Sequence, residues 1–185
     1  QFDSYNRRTY PTSGMKWEVN AALYTDNLVK YNGRTAMPIL SASWEAAIRL
    51  RNRLTLIPWV CGRAIIADDD YYTFPVVNVV GGNAAKRFLP QQMPFVGIDY
   101  MQITGSKTMI GGFKLRQRMG NNQYLTFTGN VGLQSDDWQD LFDNNMWGGG
   151  ITYGYDTFIG PLEATFSYSN ITKELGAYIS LGYNF

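Results

Sequence analysis

The chain has 185 residues, 45% of them hydrophobic and 15% aromatic, with sixteen basic and fifteen acidic side chains and a formal charge of +1. That balance gives no nucleic-acid surface, and the lack of any His removes the commonest general base and metal ligand. No run approaches the ~18 apolar residues of a spanning helix, and the mean hydropathy is slightly negative, which argues against a helical membrane protein.

The N-terminal stretch is polar from Gln1 onward, so any targeting segment is expected to lie upstream or to have been removed. From Met15 the pattern changes. Met15, Trp17, Val19, Ala21 and Leu23 alternate with Lys16, Glu18, Asn20, Ala22 and Tyr24. A second run alternates Leu40, Ala42, Trp44, Ala46, Ile48 and Leu50 with Ser41, Ser43, Glu45, Ala47, Arg49 and Arg51. Repeated alternation over roughly ten residues is the signature of a barrel strand with one apolar and one polar face.

The third segment, 53–67, alternates poorly because Ile57 and Trp59 share a face with Arg53 and Arg63. It holds Cys61, the sole cysteine, which can form no internal disulfide and is read as a small residue filling a strand position. A long irregular stretch, about 68–106, follows. The alternation then returns in five segments, led by Met109, Phe113 and Leu115; by Leu125, Phe127, Val131 and Leu133; by Trp147, Ile151, Tyr153 and Tyr155; by Leu162, Ala164, Phe166 and Tyr168; and by Ala177, Ile179, Leu181, Tyr183 and Phe185.

These segments predict an all-β fold: an antiparallel transmembrane β-barrel contributing eight strands, over a single domain 1–185. Tight connections (Asn52; Gly120–Asn121; 158–160) alternate with longer polar ones (31–36, 68–106, 134–145, 170–174), as periplasmic turns and extracellular loops do. The polar face carries Lys16, Glu18, Glu45, Arg49, Arg51, Arg63, Lys114, Arg116, Arg118 and Glu163. Charges face lipid only at high cost, so this face is expected to line the lumen. Arg49, Arg51, Arg63, Arg116 and Arg118 could make the lumen anion-selective, but salt bridges with Glu18, Glu45 and Glu163 explain the same residues more simply. Trp44, Trp147, Tyr153, Tyr155, Tyr168 and Tyr183 are expected near strand ends as interface aromatics. A soluble lipocalin-like barrel would reverse the faces.

No catalytic constellation is present, and neither a metal nor a cofactor is assigned. Gly148–Gly150 sits within an alternating strand with no helix after it, so close-packed wall explains it better than a phosphate or oxyanion loop. Asp68–Asp70 reads as a solvated loop start; Asp136, Asp137, Asp140 and Asp143 permit a calcium hypothesis.

The segments 159–168 and 176–185, with Gly160-Pro161-Leu162 before the penultimate strand and a terminal aromatic after it, resemble the bacterial surface-antigen superfamily. That superfamily contains the outer-membrane assembly factor barrel, its translocation relatives and patatin-like phospholipases with a C-terminal barrel. Tyr10-Pro11-Thr12-Ser13-Gly14 before the first strand also recurs there. The resemblance implies that 68–106 is a loop folding back into the lumen, with a tip at Lys86-Arg87-Phe88. It further implies that Arg87 meets the inner wall at Asn130-Val131-Gly132, where Asn130 replaces the usual Asp and turns an ion pair into a charge–dipole hydrogen bond. Tyr183 and Phe185 would carry the C-terminal insertion signal.

The phrase Gly81–Gly97 looks most like barrels of Bacteroidetes patatin-like proteins. The expected function is thus the membrane anchor or translocator region of a patatin-like lipid hydrolase whose catalytic domain lies elsewhere. The alternatives are an outer-membrane assembly or translocation factor, and a stand-alone small structural barrel. Eight strands would be the C-terminal half of a larger barrel or a complete small one. Expected partners are outer-membrane lipids and, during insertion, the outer-membrane assembly machinery, with self-association as a further option. The expected location is the bacterial outer membrane.

Overall fold

The structure, a computed structural model, describes residues 1–25, 30–31, 34–66, 76–82, 91–99, 103–136 and 145–182. Among the described residues there is no helix. In chain order the strands are β1 (Phe2–Asp3), β2 (Gly14–Tyr24), β3 (Lys30–Tyr31), β4 (Arg34–Thr35), β5 (Met37–Arg51), β6 (Leu54–Ile65) and β7 (Asn78–Val80). They continue as β8 (Gln92–Met93), β9 (Ile103–Gly105), β10 (Lys107–Arg118), β11 (Gln123–Ser135), β12 (Asn145–Thr157), β13 (Gly160–Ser169) and β14 (Leu175–Leu181).

One nine-stranded antiparallel sheet, in the order β1-β2-β5-β6-β10-β11-β12-β13-β14, forms the wall. Leaving out the two-residue β1, eight long strands remain, each paired with its neighbours in the sheet. Such a meander needs only hairpins, and its ladders satisfy each internal strand's backbone on both sides, as a lipid environment demands. Among the described residues no ladder joins β1 to β14, so the sheet stays open there. The hairpin turns after β5, β10 and β12 fall at one end of the wall, and the long connections at the other.

The two faces differ as the alternation requires. Val19, Leu40, Met109, Phe113, Phe127, Val131, Trp147, Ile151, Phe166 and Ile179 are all exposed on the outer face. In water such a continuous apolar surface would be an aggregation hazard, and in lipid it is the ordinary surface of a barrel. Trp147 lies 6.0 Å from Tyr168 between ring centroids near the loop end of the wall. Trp44 departs from expectation, since it sits at the centre of the fifteen-residue β5 rather than at an end.

The buried core lies on the opposite, inner face. Trp59, Cys61, Ile110 and Met146 of the wall pack with Val80, Met93, Phe95 and Ile98 of the long connection between β6 and β10. A small three-stranded sheet, β8-β7-β9, organises that connection. This accounts for the poor alternation of β6. Its inner face is apolar at Ile57, Trp59 and Cys61 because chain, rather than water, covers it.

Candidate functional site

The inner wall meets two pieces of chain: the loop between β6 and β10 at the loop end, and residues 4–13 at the turn end. Each contact uses residues whose chemistry makes sense only with that partner in place.

The loop is fixed first at its stem. Arg63 of β6 donates from Nη1 to the Val76 carbonyl (2.8 Å) and to Asn78 Oδ1. Asn78, fully buried, donates from Nδ2 to the carbonyls of Arg63 and Ser106, each at 2.9 Å. A buried amide must place all its polar atoms, and Asn78 does so against two wall strands and their junction. Gly82 and Phe95 then form an antiparallel bridge.

Beyond the bridge the loop lies against β11, β12 and β13. The Phe95 ring occupies the space where a Cβ on Gly132 or Gly148 would stand, at 3.1 and 3.0 Å. Val96 fills the corresponding space over Gly150, its Cγ1 2.8 Å from a Cβ there. Gly148 and Gly150 are thus glycine because the loop presses on them, which gives the close-packed wall its partner. Ser169 Oγ donates to the Gly97 carbonyl at 2.7 Å, and Thr172 Oγ1 to the same oxygen at 3.1 Å.

Asn130 sits in the middle of this surface. Its cross-strand partners are Gly112 and Gly148, both without side chains. It is 3% exposed, and neither Oδ1 nor Nδ2 has a hydrogen-bond partner among the described residues. Trp59, paired with Gly112 in the same lateral row, likewise leaves its Nε1 unpartnered. Unsatisfied buried polar groups are rare and expensive, costing about 1–3 kcal/mol each. Arg87 and Phe88, expected at the tip, lie outside the described residues, as do Tyr183 and Phe185.

The lumen charges are engaged differently from the expected salt-bridge network. Glu45 and Lys114 do pair, at 3.0 Å. Three arginines turn to the inserted chain: Arg63 to Asn78, Arg49 Nη2 to Thr12 Oγ1 (2.8 Å), Arg116 Nη1 to the Pro11 carbonyl (3.3 Å). Glu163 accepts from the Tyr10 hydroxyl at 3.0 Å, and Glu45 from the Tyr5 hydroxyl at 2.6 Å. Burial, together with the neighbouring carboxylates, holds both tyrosine hydroxyls well above the usual tyrosine range, so they stay protonated donors. Guanidinium groups need several acceptors, and the Val76 and Pro11 carbonyls supply one each to Arg63 and Arg116.

The Asp136 carboxylate accepts from the Ser106 amide at 2.8 Å, while Asp137, Asp140, Asp143 and Asp68–Asp70 lie outside the described residues. Among the described residues no cluster suited to a metal occurs. Cys61 is buried and outside any disulfide.

Sequence reasoning did not single out Asn78 or Val96, and it gave Tyr10 and Phe95 no partners on the inner wall. A signal existed for the contacts of Phe95 and Val96. The polar face of β12 carries Gly148, Gly150 and Gly154 in alternation, which asks for something close overhead. Nothing in the sequence singles out Asn78.

A nine-stranded antiparallel wall, apolar outside and covered inside by its own loop, is a fold that unrelated barrels could share. Comparison with known families decides between them, because residues 1–185 match the family model described as the OMP85 superfamily. The chain belongs to the OMP85 superfamily. No curated protein matches it. OMP85 proteins are outer-membrane β-barrels, and the outward apolar face and inward charges are those of such a wall.

Proposed function

We propose that this OMP85 domain works in the assembly or translocation of proteins at the outer membrane, with the loop between β6 and β10 as its internal moving part. Family membership over the whole chain supports the class of function. The observation that carries the loop's role is the buried Asn130, without a hydrogen-bond partner among the described residues, beside the docked Phe95. In this reading Arg87 reaches Asn130 Oδ1 from the tip and forms a charge-assisted hydrogen bond, and Phe88 adds apolar contact. Gly132 stays glycine to admit Phe95. The domain spans 1–185, its eight long strands form the second half of a larger barrel, and Tyr183 and Phe185 guide its insertion. Lipids meet the apolar face, and the assembly machinery inserts the chain.

A second reading, the membrane anchor of a patatin-like lipid hydrolase, draws on the phrase Gly81–Gly97. Its support is sequence likeness alone, and the inner-wall geometry serves either reading.

One complementation experiment separates them. In the native bacterium depleted of the protein, unrelated outer-membrane barrels are expected to accumulate unfolded, and the parent chain should restore them. Arg87→Ala and the near-isosteric Asn130→Leu should rescue poorly. The leucine variant should nevertheless fold at least as stably, since it removes two unsatisfied polar atoms. Normal barrel assembly in depleted cells, with loss of a lipid-hydrolysing activity, would favour the anchor instead. Full rescue by both variants would remove the latch.

A further inference from the structure

At the turn end, residues 4–13 leave the strand ladder and return to it as a compact loop. Ser4 N donates to the Met15 carbonyl at 2.9 Å, and Asn6 Oδ1 accepts from the amides of Thr12 and Ser13 at 3.0 and 3.2 Å. The excursion between these points crosses the inner face from β5 to β13. Its first contact is Tyr5 with Glu45 on β5. Its last is Tyr10, which stacks on Tyr124 of β11 with centroids 3.9 Å apart and donates to Glu163 of β13. Arg116 of β10 lies over the Tyr10 ring, Cζ 5.0 Å from its centroid, a cation–π contact that closes the fourth side.

Two features show that this placement is built in. Tyr10 adopts a left-handed backbone conformation, φ 48°, which a non-glycine residue holds only where its surroundings over-determine it. Gly154 of β12 lies directly beneath, and a Cβ there would collide with the Tyr10 hydroxyl. Between the segment and the wall lies a partly open cavity of about 650 Å³, lined by Tyr5 and Tyr10 of the segment with Glu45, Lys114, Thr126 and Glu163 of the wall among others.

We propose that residues 4–13 are a strap across the turn end of the lumen, locked by Tyr10 in the notch left by Gly154, and that its release widens access to the cavity for solutes from the periplasmic side. The proposal holds whichever function the barrel serves. The lock is reversible in kind. Among the described residues it consists of one stacked ring, hydrogen bonds to two carboxylates, hydrogen bonds from Arg49 and Arg116 to Thr12 and Pro11, and a cation–π contact. A stretch so held opens locally well before the wall unfolds.

Accessibility of the cavity tests this. Thr126→Cys places a thiol behind the strap, where the native threonine is 7% exposed, and the parent with its buried Cys61 gives the background. A membrane-impermeant maleimide added to the purified, reconstituted protein should label this thiol slowly. Adding Tyr10→Ala should speed labelling about tenfold or more, the scale set by losing a hydrogen bond to a charged acceptor. Gly154→Ala should do the same from the other side of the contact. Tyr10→Phe keeps the ring and should give an intermediate rate. Heat-dependent gel mobility shows which variants have a folded barrel, and Tyr10→Phe, a one-atom change, keeps the test open if the others fail. Rapid labelling with the native strap, or an unchanged rate in the folded variants, would overturn the proposal.

Discussion

Single residues decide which way the wall faces. Phe127, in the middle of β11, is 43% exposed and stands between Leu115 and Ile151 on the neighbouring strands. In lipid an Arg there must be desolvated or drag water into the bilayer. Phe127→Arg should therefore cost about 2–4 kcal/mol if it lies near the midplane. Denaturant titration of the protein in vesicles measures it, and an effect within experimental error would place the residue in water. Thr126, next along the strand and buried inside, is under no such constraint from lipid. The outward residues were legible in the sequence because period-two alternation places them without any knowledge of partners. Asn78 and Tyr10 were not, because their roles come from contacts with residues far along the chain, such as Ser106 and Glu163.

At the level of elements, the structure explains the segment whose alternation is poorest in the sequence, β6. Its alternation fails on the inner face at Ile57, Trp59 and Cys61, and the failure marks where the loop docks. The eight long strands and the tight turns follow from local pattern. The small sheet β8-β7-β9 does not, since β7 and β8 are too short to show a period and pair in parallel through residues without alternation. The strap is an element with a pH signature. Tyr10 faces Glu163 and Asp156 as well as Arg116, and stacks on Tyr124; Tyr5 faces Glu45, Asp3 and Arg116. In both, burial and the carboxylates raise the hydroxyl above its ordinary value of 10.0. A raised pKa in the folded state stabilises the strap fully below that ordinary value and loses the contribution as pH rises above it. Labelling of Thr126→Cys, referred to a free-thiol standard at each pH, should thus stay slow up to about pH 10 and accelerate beyond it. Acceleration starting near neutrality would mean that other groups hold the strap.

For the whole molecule, the account rests on an inverted distribution of polarity. The hydrophobic cluster that holds the loop, Trp59 with Phe95 and Ile110, is internal and shielded, whereas the larger apolar surface is turned outward. Alternation shows that the two faces differ, and the charges indicate which of them lipid can touch. A loop folded over the inner face was implied by the family resemblance, and the residues that pack it there come from the structure. Tryptophan fluorescence in lipid reads the two faces directly. Trp44 and Trp147 lie on the outer face, 40% and 52% exposed, and Trp59 on the inner at 7%. In single-tryptophan variants of the protein reconstituted into vesicles, lipids brominated along their acyl chains should quench Trp44 and Trp147 strongly and leave Trp59 bright. Quenching of Trp59 with Trp44 and Trp147 unaffected would turn the wall inside out and contradict the account.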